Sequence, residues 1–250
     1  AIGNHAGYTG QKGYAVAIGD QAGYAEQGIL SIAIGANAGY SHQDYNAVAI
    51  GNRAGYTGQH ARTVAIGDSA GYENQIGGSI AIGSSAGKTS QLYSAVAIGD
   101  NAGTTRQNGY AVAIGLWAGM TDQSENAVAI GSYAGMTSQG KNAVAIGNSA
   151  GKVTQTANSI ALNASGTALN TFQPGFFVNP IRPDIINSDP ILFYKTGTNE
   201  VIYDASTNLN LDSSGNLNVT GYVRSLIPIK LFNSAAVPSG DIGYYLYLNT

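Results

Sequence analysis

The sequence predicts an all-β fold, a parallel β-solenoid with 16-residue turns. A 16-residue repeat runs without insertion or deletion from Ala1 to about Ile160, and each copy is rich in glycine and β-branched residues. Helical repeats need units of more than about thirty residues, so this period is too short for them. Parallel strands stack about 4.8 Å apart, and ten turns would therefore form a rod on the order of 50 Å long.

Each repeat begins Ala-Ile-Gly, continues with two variable residues and Ala-Gly, and carries Gln at its eleventh position. We number repeat positions 1 to 16 from Ala1. Gly3 and Gly7 are the expected corners, because a chain that reverses within so few residues needs a positive φ or a close backbone approach.

The strand of each repeat is apolar on both faces. Val16 and Ile18 share one face, and Ala15 and Ala17 share the other. We expect the larger side chains inside, as a core column, and the alanine face outside, either packed against a neighbouring chain or exposed to water. The expected core column is Ile2, Ile18, Ile34, Ile50, Ile66, Ile82, Ile98, Ile114, Ile130 and Ile146.

The glutamines at position 11 predict an amide ladder, with side chains hydrogen-bonded from turn to turn. The alternative is an exposed polar residue kept by repeat duplication. The ladder residues are Gln11, Gln27, Gln43, Gln59, Gln75, Gln91, Gln107, Gln123, Gln139 and Gln155.

An aromatic stripe is predicted at position 8, where Tyr8, Tyr24, Tyr40, Tyr56 and Tyr72 follow one another. Stacked tyrosines fill space at a subunit seam, which we favour, and exposed ones bind sugar rings or partner proteins. The neighbouring turns that carry Trp117 and Tyr133 form a smaller candidate patch with the same two interpretations.

The repeat frame decays after Ile160, and all prolines lie beyond Gly166. The apolar segments Ile191–Tyr194 and Glu200–Tyr203 predict a β-hairpin, and residues 209–221 predict a second hairpin or wrapped element. We therefore expect three regions: a ten-turn repeat domain at 1–160, a degraded repeat or cap at 161–173, and a β-rich C-terminal fibre region at 174–250. Because Ala1 begins inside a repeat, we expect the chain to be part of a longer fibre.

No residue pattern predicts catalysis, a metal or a cofactor. His5, His42 and His60 occupy variable positions of different repeats, and Asp20, Asp68 and Asp100 lie at least two turns apart. Glu73, Asp122 and Glu125 are the candidates for a pair of glycan-cleaving carboxylates, but a rod places many pairs at such distances. The threonines at position 9 are too irregular to favour an ice-binding face.

Composition excludes further classes of partner. The net charge of −3 offers no footprint for nucleic acid, and no apolar run is long enough for a membrane-spanning helix. Only 10% of the residues are charged, against roughly 25% in ordinary domains. We therefore expect assembly by apolar and hydrogen-bonded contacts rather than by charge.

Two segments of the chain resemble known families. The pattern Ala-Val-Ala-Ile-Gly-x-x-Ala-Gly, at Ala47 to Gly55 and Ala127 to Gly135, resembles the head repeats of YadA-like trimeric autotransporter adhesins. The resemblance implies a left-handed parallel β-roll with three chains to a head. The segments Val178 to Arg182, Leu192 to Tyr203 and Gly215 to Gly221 resemble fibre proteins of tailed phages and large DNA viruses.

These resemblances imply an extracellular homotrimeric fibre. It would project from a virion and attach to a glycan or protein receptor on a host surface. The alternatives are a bacterial adhesin head and, from another class, a glycan-cleaving tailspike enzyme.

Overall fold

The computed structural model describes residues 1–181, 192–198, 200–203, 209–211 and 217–219. The chain divides into two compact units, Ala1–Ile181 and Arg182–Thr250. The first unit is a parallel β-solenoid of about ten turns with one sequence repeat per turn, as the sequence predicts. No helix occurs among the residues just named.

Most turns contribute a three-residue strand to each of two sheets. In both sheets a residue pairs with its counterpart in the next repeat, as Val48 does with Val64 and Gln43 with Gln59. The long sheet, whose strands have the sequence Val-Ala-Ile or Ile-Ala-Ile in most turns, consists of β1 (Val16–Ile18), β3 (Ile32–Ile34), β5 (Val48–Ile50), β7 (Val64–Ile66), β9 (Ile80–Ile82), β11 (Val96–Ile98), β13 (Val112–Ile114), β15 (Val128–Ile130), β16 (Val144–Ile146), β17 (Ser159–Asn163) and β18 (Gly175–Asn179). The short sheet consists of β2 (Ala25–Gln27), β4 (Ser41–Gln43), β6 (Thr57–Gln59), β8 (Glu73–Gln75), β10 (Thr89–Gln91), β12 (Thr105–Gln107) and β14 (Thr121–Gln123).

The corners use the two invariant glycines, as expected. Gly67 has a φ of 131°, and a Cβ there would lie 2.5 Å from the carbonyl oxygen of Gly83 in the next turn. Gly71 has a φ of 53°. Both positions therefore require glycine, the first for the close approach of neighbouring turns and the second for its left-handed conformation.

Three further positions of every turn have a positive φ without being reserved for glycine. They are positions 5, 10 and 14, as in Asn37, His42 and Asn46, whose φ values are 56° to 57°. Asparagine and glycine tolerate this conformation best, whereas Thr154, with a φ of 50°, is β-branched and strained. The repeat pattern did not predict these bends. The recurrence of Asn, Ser and Gly at these three positions is the sequence signal that marks them.

The interior of the solenoid is the reverse of the expected one. Ala17 is 0% exposed, whereas its neighbours Val16 and Ile18 are 39% and 37% exposed. The structure therefore contradicts the core column of Ile2, Ile18, Ile34, Ile50, Ile66, Ile82, Ile98, Ile114, Ile130 and Ile146: these isoleucines lie on the outer face of the long sheet.

The reason is the width of the coil. A turn this short, with two strands and five positive-φ positions, encloses little space, and alanines at positions 1 and 6 meet across it, as Ala65 and Ala70 do. A buried glutamine from the short sheet fills what remains. The larger β-branched side chains do not fit there and point outward instead.

The long sheet continues beyond the last complete repeat. β18 pairs in parallel with β17, and the offset of one repeat is kept, since Ile160 pairs with Phe176. Solenoid pairing thus extends past residue 174, where we had placed the start of the C-terminal region.

Within the second unit, two antiparallel pairings are described. β19 (Leu192–Lys195) pairs with β20 (Glu200–Tyr203), which is the hairpin predicted from the sequence. β21 (Leu209–Leu211) pairs with β22 (Leu217–Val219), within the second predicted element. The rest of the predicted β-rich region at 174–250 that follows residue 181 lies outside the described residues.

Candidate functional site

A file of glutamine side chains runs through the interior of the solenoid. The Nε2 of Gln91 donates to Oε1 of Gln107 at 2.9 Å, and the same bond joins every neighbouring pair of ladder residues from Gln11 to Gln155 except Gln27 and Gln43. From Gln27 onward the residues of the ladder are almost fully buried. The polar column is therefore internal, which excludes an exposed residue kept by duplication.

From Gln27 to Gln123, each ladder amide also ties the two sheets together. Gln91 Nε2 lies 2.8 Å from the carbonyl oxygen of Ile80 and 3.2 Å from that of Ala95. Buried amides are stable only when hydrogen-bonded, and these backbone oxygens supply the partners. The glutamine thus completes the alanine core and satisfies backbone oxygens in the interior.

The glycine at position 7 makes room for the amide. A Cβ on Gly87 would lie 2.6 Å from Oε1 of Gln91, and a similarly short approach holds in the other turns. The invariant Gly and Gln columns are therefore parts of one packing unit.

One ladder junction differs from the rest. Gln27 does not donate to Gln43, and Oε1 of Gln43 is buried without a hydrogen-bond partner. Gln43 still donates to Ile32, Ala47 and Gln59.

The five tyrosines of the predicted stripe stack on one another. Neighbouring ring centroids lie 4.9 to 5.2 Å apart, with interplanar angles of 3° to 16°. Tyr24, Tyr40, Tyr56 and Tyr72 are half-buried, and Tyr8 at the end is exposed. Each inner ring covers the faces of its neighbours, so the stripe offers ring edges rather than ring faces to a ligand.

Trp117 and Tyr133 have a different geometry. Their centroids lie 5.4 Å apart at an interplanar angle of 75°, and Lys152 Nζ lies 5.1 Å from the Tyr133 ring centroid. Trp117 is 38% exposed and the preceding Leu116 is 41% exposed. This group places partly exposed aromatic side chains beside a cation.

A polar groove follows the short sheet between positions 10 and 12. In the early turns it has a volume of about 450 Å³, and its walls include Lys12, Glu26, His42, Asp44 and His60. His42 Nε2 lies 3.0 Å from Glu26 Oε2, and both side chains are largely exposed to solvent.

In the later turns the same groove is lined by Arg106 and Asp122. The Arg106 guanidinium donates two hydrogen bonds to the Asp122 carboxylate, one of them at 2.7 Å. This bond lowers the pKa of Asp122 from its ordinary value.

The titratable residues singled out from the sequence do not form a catalytic or metal-binding group. His5 packs edge-on against Tyr8 at 5.1 Å, and Glu125 pairs with Lys141 at 2.7 Å. Asp20, Asp68 and Asp100 accept hydrogen bonds from asparagine side chains. Glu73 lies at the start of a short-sheet strand and is exposed. Across the described ranges, no three His, Asp or Glu side chains are placed to hold a metal ion.

The outer face of the long sheet is an apolar surface that runs along the solenoid. Valine and isoleucine occupy position 16, and isoleucine occupies position 2, so two apolar columns run side by side along the rod, with Leu162 continuing the second column. The side chains of both columns are half-exposed or exposed in every turn. We call this surface the Val/Ile face.

No protein-family model, curated protein or solved structure matches the chain significantly. In the part of the chain that the structure describes, no helix is long and apolar enough to cross a membrane.

Proposed function

We propose that the chain is the shaft or head of a homotrimeric extracellular fibre that projects from a virion and attaches it to a host surface. The resemblance of its repeats to YadA-like adhesin heads, and of its C-terminal segments to viral fibre proteins, supports this assignment. The alternative is a bacterial adhesin head built in the same way. In either case the function is mechanical and adhesive, and no enzymatic step is assigned.

The Val/Ile face carries the proposal. Its two columns lie about 7 Å apart and run for about 45 Å, which gives an apolar strip of about 300 Å² on a monomer. Patches of this size on soluble proteins commonly mark interfaces. Copies of this chain are the occupants that match it, because an identical repeat along both surfaces keeps the side chains in register over the full length.

Assembly would give the fibre its stiffness and its avidity. Apolar burial along the Val/Ile face adds to the hydrogen bonds between turns, and few charges take part, so the assembly should depend weakly on salt. Three parallel chains present each receptor-binding surface three times, and linked weak contacts bind far more tightly than one contact alone.

The test is the double variant Ile66→Asp/Ile82→Asp, which places charges on the Val/Ile face in adjacent turns. Light scattering after gel filtration should show a trimer for the wild type and a monomer for the variant, while circular dichroism of the variant keeps its β-sheet signal. Asn46→Asp is the matched control, because it introduces the same acidic group at an exposed position away from this face. A double variant that stays trimeric would show that the Val/Ile face is not the interface.

Attachment is tested separately with labelled wild-type protein. Retention on host cells without release of sugar supports an attachment fibre. Release of sugar products would instead favour the tailspike enzyme.

A further inference from the structure

One corner of the solenoid departs from the repeat in two neighbouring turns. We call Leu116, Trp117, Tyr133 and Lys152 the corner patch. Position 5 carries small or polar side chains such as Ser85 in all other turns, and position 4 carries Asn, Asp, Ser or Ala. Bulky apolar residues are thus concentrated here, although the remaining turns form the same corner without them.

Folding does not require these aromatic residues. Trp117 and Tyr133 have φ values of 56° and 59°, the same left-handed bend that Ser85 and Ser149 make at 53° and 57°. A bulky side chain in this conformation costs free energy relative to a small polar one. The patch is half-exposed rather than packed into the interior.

The ring geometry separates the corner patch from the tyrosine stripe. Stacked rings at 4.9 Å shield each other's faces, whereas rings inclined at 75° do not stack face to face. Lys152 lies over one face of Tyr133. Trp117 is 38% exposed, so a planar apolar ligand surface can pack against it, whereas the inner rings of the stripe are stacked on both faces.

The surroundings indicate which ligand fits. The C–H face of a pyranose ring packs against the electron-rich face of an aromatic ring, and its hydroxyl groups need polar partners at the rim. Asn101 and Asn148, in columns 5 and 4 of the adjoining turns, are exposed or half-exposed amides that provide such partners. Lys152 has no carboxylate partner among the described residues, so its charge is available to an anion.

We infer that the corner patch binds a pyranose ring of an acidic glycan, with the ring on Trp117 or Tyr133 and its carboxylate or sulfate near Lys152. The patch consists of four side chains, a size that suits a single sugar ring. This inference rests on the proposed attachment function and names the receptor class. Three copies of the patch would make a weak sugar contact effective.

The experiment uses the single tryptophan of the chain as the probe. Sialyllactose and heparin oligosaccharides should change Trp117 fluorescence saturably, and neutral lactose should do so more weakly. On immobilised acidic glycans, Trp117→Ser should reduce binding roughly tenfold, since it removes the aromatic face. Lys152→Gln should reduce the preference for acidic over neutral sugars. Gln21→Ser, a change at position 5 of another turn, is the control and should bind like the wild type.

Three results would overturn the inference. The first is unchanged tryptophan fluorescence with every sugar. The second is an altered oligomeric mass of the Trp117→Ser variant, which would place the patch at a subunit seam. The third is retention on host cells after surface glycans are removed, which would indicate a protein receptor. The proposed function fails differently. A monomeric wild type whose tryptophan still responds to acidic sugars would refute the fibre and keep the sugar site.

Discussion

Replacing Gln91 by leucine tests whether the amide ladder stabilises the solenoid. Gln91 donates to Ile80 at 2.8 Å, to Ala95 at 3.2 Å and to Gln107 at 2.9 Å, and it accepts from Gln75 at 3.2 Å. A typical hydrogen bond contributes about 1 kcal/mol net. An amide NH2 has two hydrogens, so the three donor contacts count as two bonds, with one hydrogen shared. With the accepted bond, three bonds are lost, and about 1 kcal/mol of extra apolar burial offsets part of the loss, which predicts a destabilisation of about 2 kcal/mol.

The break in the ladder supplies a matched control. Gln43→Leu loses the donations to Ile32, Ala47 and Gln59, but no neighbour donates to Gln43, and its buried Oε1 is already unpaired. Removing an unpaired buried acceptor recovers about 1–3 kcal/mol of desolvation cost. We therefore expect Gln43→Leu to cost about 2 kcal/mol less than Gln91→Leu.

Both variants are compared with the wild type in urea unfolding followed by circular dichroism. Hydrogen exchange of the turns around each site shows whether the loss is local, since solenoids unfold through neighbouring turns rather than all at once. Equal losses for the two variants, or no loss for Gln91→Leu, would refute the ladder as a stabilising element.

Three further outcomes are expected. Gly71→Ala should destabilise the protein by about 2–4 kcal/mol in thermal unfolding, because it strains a left-handed bend and crowds the ladder amide. Gly13→Ala is the control and should be close to neutral, since a Cβ there meets open space. Similar melting temperatures for the two variants would contradict this. Thr154→Asn should stabilise by about 0.5–1 kcal/mol, since Asn adopts a positive φ more readily, and a lower melting temperature would show the reverse. Arg106→Gln should raise the pKa of Asp122 toward its ordinary value in an NMR titration. Because the pKa of Asp122 is lowered in the folded protein, this pair contributes to stability at neutral pH. The contribution is lost as the pH falls through that pKa.

The repeat predicts most of the fold, because so short a period with glycine corners leaves few alternatives to a stacked β-coil. Which face is inside was not predicted correctly. Alanine and isoleucine are both apolar, so alternation alone does not distinguish them. The decisive quantity is the width of the interior, which the invariant small size at Ala17 and Ala22 indicates in retrospect.

The glutamine column was recognised for its bonding but not for its burial. A polar residue kept in every turn beside an invariant glycine marks an interior amide, since a surface position would tolerate other polar residues. The inclination of Trp117 against Tyr133, compared with the flat stacking from Tyr8 to Tyr72, depends on side-chain torsions that spacing does not reveal.

The constant offset of one repeat between hydrogen-bonded partners also governs how the gene can change. A deletion of 16 consecutive codons within the repeats joins one turn to the same position of the next turn. Every remaining residue then still pairs with a residue at its own repeat position. Recombination between copies can therefore lengthen or shorten the protein in steps of about 4.8 Å without a new folding problem. The length of the solenoid therefore changes by whole turns.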